Sequence, residues 1–141
     1  MTLSAALLAF GGSVSLLFGA LTGFWLQSWM RAHPGQGPHR YRMTAHKEAL
    51  WSAFLCFAVA GWIDALPTGP AVAVLIALSL IGTGWFAVGQ YVVVARADVQ
   101  DGVNDDVPLL AKLCGAGAMG ANLVALAALL IATGLALVDA L

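Results

Sequence analysis

The chain has 141 residues, 61% of them apolar and only 9% charged, where a soluble domain carries about 25% charged residues. Its mean hydropathy is +0.90, and 6 Lys and Arg against 7 Asp and Glu leave a net charge of −1. This is the composition of a membrane protein, and it holds no basic field for gripping phosphate backbones, so nucleic-acid binding is excluded as a main function.

Four apolar runs, about 3–28, 44–65, 70–95 and 108–138, are each long enough to cross ~30 Å of hydrocarbon as a helix. Gly, Pro and Asp punctuate the chain between them. The first run is read as a spanning helix rather than a cleaved signal, because no Lys or Arg precedes it and its apolar core is longer than an h-region. Stretches such as Ala71 to Leu78 are apolar on every side, which disfavours barrel strands. The expected fold is therefore all-α, an integral membrane four-helix bundle forming a single transmembrane domain over 1–141.

Along the first run, Ser15, Gly19 and Gly23 make a four-residue ladder of small residues, and Gly115, Gly117 and Gly120 give the fourth a similar small-residue face. Such faces let helix backbones approach closely, within one subunit or between subunits of an oligomer. Arg31, Arg40, Arg42 and Lys47 border the first connection, and Arg96 and Lys112 border the third. All six fall on one side, which predicts that side to be cytoplasmic with both termini on the opposite face. His33 and His39, in the Pro/Gly-rich first connection, read as solvated.

The second run opens with Thr44, a candidate N-cap, followed by His46 one turn or less inside the interface. On a helix, His46, Ala49 or Leu50, and Ala53 share a stripe, with Ser52 rotated from it. His46 either faces a cavity or bonds to headgroups and water at the interface. Glu48 reads as an interface residue paired with water or with Lys47. Cys56 and Cys114 lie in apolar stretches and read as small buried hydrophobes.

In the third run, Thr83, Trp85, Gln90 and Tyr91 are interleaved with Gly82, Gly84 and Gly89. Tyr91 sits near the same end as His46, as a pocket residue or as part of an aromatic belt. The acidic connection Asp98, Asp101, Asp105 and Asp106 lacks an EF-hand pattern and reads as a solvated loop. In the fourth run, Gly115-Ala-Gly117-Ala-Met-Gly120 spells the dinucleotide fingerprint but falls in a membrane helix, without the strand and turn that motif needs. Asn122, the deepest amide, has the position of a cross-helix hydrogen bonder.

Two segments carry a resemblance. His46 with Glu48-Ala49-Leu50-Trp51-Ser52-Ala53 is similar to a pattern of His, any residue, Glu, Gly, two apolar residues, Asn, Gly. Gly84-Trp85-Phe86-Ala87-Val88-Gly89-Gln90-Tyr91 is similar to Gly-Trp-x-x-Val-Gly-x-Tyr. Together they resemble the family of small four-helix membrane isomerases that contains styrene oxide isomerase and hydroxylaminobenzene mutase, over about 50 of the 141 residues. Ser52 stands where that family has Asn, Thr83 where it has Asp, and Ala87 where it has Asn.

The resemblance implies a haem b held between subunits of a homo-trimer, with His46 as the axial ligand to iron. It implies a ferric Lewis acid acting on the oxygen of a small apolar epoxide or aryl hydroxylamine, without net redox change. Tyr91, Ser52 and Thr83 would line the catalytic pocket and Trp85 would pack on the macrocycle or the substrate ring. The expected setting is a bacterial inner membrane, with the substrate entering from lipid. Two other classes fit the same composition: a non-catalytic haem or electron-transfer subunit, for which Met43 or Met119 are candidate second ligands, and a small transporter or structural subunit.

Overall fold

The computed structural model describes residues 1–99 and 106–139. Four helices follow one another in chain order: α1 (Leu3–Ala32), α2 (Arg40–Ala60), α3 (Pro70–Arg96) and α4 (Leu109–Asp139), with a short 3-10 turn at Ile63–Ala65. All four are long and apolar enough to cross a membrane, and no strand occurs among the described residues. The fold is an all-α four-helix bundle, as its hydropathy predicts.

The termini of the helices follow local chemistry. Thr2 caps α1, its hydroxyl accepting from the Ala5 amide and bonding to Asp64 in the turn after α2. This ties the start of the chain to the α2–α3 connection. Pro70 opens α3 in the first turn, where a missing N–H costs nothing. Helix α2 begins at Arg40 rather than Thr44, and Thr44 is no cap: it lies one turn inside and donates to the Arg40 carbonyl. Its first turn, Arg40-Tyr41-Arg42-Met43, is too polar to register as part of an apolar run. Helix α1 likewise runs on to Ala32, through Arg31, and α2 ends at Ala60 with Gly61 as its C-cap.

Neighbouring helices run antiparallel, and glycines set the closeness of the seams. A Cβ on Gly11 would press on the Ile81 side chain at 2.5 Å, one on Gly12 on the Phe57 ring at 3.0 Å, and one on Gly19 on Leu50 at 2.8 Å. The small-residue ladder of α1 therefore packs inside the subunit, against α2. Leu8, Ile63, Ile76 and Cys56 form the most buried part of the core at the end that holds the termini. In lipid this core is held by close contact rather than by expulsion of water.

Helices α1, α2 and α3 pack mutually, whereas α4 lies chiefly along α3. Only 11% of the apolar stretch of α4 is buried within the chain, against 33 to 39% for the other three. The seam of α4 uses Gly115 against Gln90 and Gly117 against Phe86, but a Cβ at Gly120 would meet nothing within 4 Å. The Gly115–Gly120 fingerprint lies wholly inside α4 and serves as helix packing surface. The end of α1, the start of α2, the end of α3 and the start of α4 gather all six Lys and Arg residues at one end of the bundle.

Candidate functional site

The candidate residues distribute over four places. His46 packs into the seam between α1 and α2. Its Nδ1 lies 2.8 Å from the Gly19 carbonyl oxygen. A carbonyl only accepts, so Nδ1 carries the proton, and in the neutral ring Nε2 is left with a free lone pair. Gly23 makes room for the imidazole, since a Cβ there would sit 3.1 Å from its Cε1. A backbone carbonyl fixing the tautomer of a histidine is the arrangement found behind metal-ligating imidazoles; the same bond also joins two membrane helices.

Ser52 and Thr83 come together in a different place, a cleft of about 50 Å³ between α2, α3 and α4. Gly84 allows this approach, because a Cβ there would fall 2.5 Å from the Ser52 Cβ. Ser52 shares a hydrogen bond of 3.3 Å with Ser15. The Thr83 hydroxyl donates to the Ser79 carbonyl at 2.8 Å, so it can offer a ligand only acceptor lone pairs. Glu48 and Asn122 line the same cleft, and neither makes a hydrogen bond or ion pair among the described residues. Glu48 is thus not paired with Lys47. With a rise of 1.5 Å per residue, Ser52, Thr83 and Asn122 all lie roughly 18 to 20 Å from the basic end. That depth is mid-bilayer, where unpaired polar groups are costly.

The remaining two candidates lie elsewhere. Tyr91 stacks on Tyr41, ring centroids 6.3 Å apart, near the basic end. Trp85 is 40% exposed on the outside of the bundle. His46, Trp85 and Tyr91 therefore do not meet Ser52 and Thr83 in one pocket of a single subunit.

Sequence reading missed two features. Glu48 precedes Ser52 by four residues, so helical spacing alone puts them on one face. His39, expected in solvent, is only 6% exposed. Its Nε2 lies 3.7 Å from Asp98 and its ring meets Trp29 edge-on at 5.4 Å. His33 stacks on Trp29 at 4.4 Å and meets the Trp29 carbonyl. His33 and His39, at the two edges of the first connection, thus join Trp29 in an aromatic knot, while Pro34 to Pro38 between them form the exposed Pro/Gly-rich loop expected. Asp101 and Asp105 of the acidic connection lie outside the described residues.

No group of three or more His, Cys, Asp or Glu side chains that could hold a bare metal ion occurs among the described residues. A haem needs only one protein ligand, and the chemistry of His46 fits that need. The outside of α2 carries an open groove of about 560 Å³ lined by Lys47, Glu48, Leu50, Trp51 and Phe54, with His46 outside its lining. No family model, curated protein or solved structure matches the chain.

Proposed function

We propose that this chain is a subunit of a membrane-embedded isomerase or mutase that rearranges an apolar epoxide or aryl hydroxylamine, with haem b bound through His46. The observation that carries the proposal is the Nδ1 to Gly19 hydrogen bond, which presents Nε2 as an unprotonated donor. The groove over Leu50, Trp51 and Phe54 supplies an apolar wall on the outer face, and Trp85 adds an exposed ring on α3. A site on that outer face is closed by another copy of the chain, in keeping with a homo-oligomer, for which the resemblance gives a trimer. When bound, ferric haem supplies a Lewis acid to the substrate oxygen. Ser52 can donate or accept a hydrogen bond, Thr83 can accept one, and the Asn122 amide can do either. Tyr91, stacked on Tyr41, reaches the reaction only as a wall near the basic end.

In this reading the basic end of the bundle faces the cytoplasm, supported by the positive-inside rule applied to its six Lys and Arg residues, with both termini opposite. An apolar substrate partitions into the bilayer and reaches the cleft between α2 and α4 from the side. The test is an absorption spectrum of the detergent-purified protein, made with haem supplied during expression. The expected result is a high-spin Soret band that His46→Ala abolishes, together with isomerised product from styrene oxide or phenylhydroxylamine. A wild type without a Soret band overturns the cofactor assignment, and a low-spin, six-coordinate spectrum points instead to an electron-transfer subunit.

A further inference from the structure

We infer that the groove between α1 and α3 at the basic end is a binding site for one anionic phospholipid. The groove, about 240 Å³, is walled by Phe18, Leu21, Thr22 and Val92 and closed at its upper rim by Trp25 and Arg96. Helices α1 and α3 run parallel here, so the groove follows the membrane normal. Between Phe18 and Trp25 it covers roughly 10 Å along α1. Thr22 adds no polarity to the wall, because its hydroxyl is spent on the Phe18 and Gly19 carbonyls at 2.7 and 3.1 Å. The lower part therefore presents only apolar surface, as an acyl chain requires.

The rim has the opposite character. Arg96 ends α3 and lines the groove. The Arg42 guanidinium lies 4.2 Å from the centroid of the Trp25 ring, and its Nε is buried without an acceptor. Arg96 in the lining, with Arg42 against the Trp25 ring but outside the lining, thus sets positive charge beside a rim tryptophan above an apolar slot. This is the complement of a phosphodiester on an acyl chain, since guanidinium forks match phosphate oxygens and tryptophan suits the headgroup level. Among the described residues, Asp98 brings an opposing field to Arg42, and its carboxylate lies 3.7 Å from His39. A choline or ethanolamine headgroup would bring its own cation to Arg96, whereas a glycerol headgroup would not. The charge arrangement therefore selects an anionic lipid.

Native mass spectrometry of the intact protein in maltoside micelles, with equimolar phosphatidylglycerol and phosphatidylcholine, tests this. One phosphatidylglycerol per chain should be retained in preference to phosphatidylcholine. Arg96→Ala should weaken that preference about fivefold, the factor for one basic residue near an anionic surface. Lys112→Ala, equally basic but outside the groove, should leave it unchanged. Leu21→Trp should lower retention with every charge in place, and it carries the test if Arg96→Ala does not fold. Equal retention of the two lipids, an equal loss in Lys112→Ala, an unaltered Leu21→Trp, or displacement of the lipid by millimolar inorganic phosphate would each overturn the assignment.

Discussion

The two flanks of α3 differ in how fully they are finished. Toward α1 and α2, glycines are met by side chains that fill the space they leave: Ile81 over Gly11, Phe57 over Gly12, Leu50 over Gly19 and the His46 ring over Gly23. Within the α1–α2 seam, polar groups meet one another, as with His46 on the Gly19 carbonyl and Ser15 on Ser52. Toward α4, two glycines, Gly120 and Gly134, face open space, Asn122 and Glu48 lack hydrogen bonds among the described residues, and large apolar side chains such as Leu123 and Leu130 are exposed. The open flank has the form of a surface meant for something further, whether a second copy, lipid or substrate.

The sharpest way to break this contrast is Gly84→Ala. The added methyl would collide with Ser52, on a short side chain with no room to swing away, so α2 and α3 must separate. We expect a loss of about 1 to 3 kcal/mol, the usual cost of overpacking, read as a lower midpoint in denaturant titration of the detergent-solubilised protein. Gly23→Ala presses more mildly on the His46 ring and should cost under about 1 kcal/mol, because the neighbour need give only a few tenths of an ångström. If His46 holds haem, the same variant should lower haem occupancy more than it lowers stability. Gly120→Ala, on the open flank, should change neither, within about 0.5 kcal/mol. A large effect at Gly120 would mean that another copy already packs there.

Hydropathy made the helices legible because a spanning segment must be apolar for its full length. It was blind to the first turn of α2 and the last turn of α1, where Arg40, Arg42 and Arg31 continue the helix beyond the hydrocarbon. The knot of Trp29, His33 and His39 was hidden for a related reason: Pro34, Gly35, Gly37 and Pro38 signal a turn but say nothing of what the turn packs against. The small-residue ladder of α1 was legible as a packing face, though not its partner. The site was legible only in pieces. Spacing places Glu48 and Ser52 on one face of α2, and His46 on another, but the rotation of each helix against its neighbour is a tertiary fact. It is that rotation that brings Thr83 and Asn122 to Ser52 and sends Trp85 outward.

The smallest expected effect on stability, and the most discriminating for function, is at Asn122. An amide at mid-membrane depth that finds no partner among the described residues gains nothing from remaining an amide, so Asn122→Leu should leave the subunit's stability within about 0.5 kcal/mol of the parent. A substrate oxygen or hydroxylamine entering the cleft would supply the missing partner, and losing that one hydrogen bond should lower turnover by roughly 2- to 10-fold with haem occupancy unchanged. Asn122→Asp, which keeps an acceptor but adds charge in lipid, should be worse than Leu in both respects. If Asn122→Leu instead destabilises the assembled protein by more than about 1 kcal/mol while the dissociated subunit is unaffected, the amide is bonded across to another copy. The open flank would then be an interface rather than a substrate entrance, because a partner helix occupying Asn122 would close the side of the cleft that faces lipid.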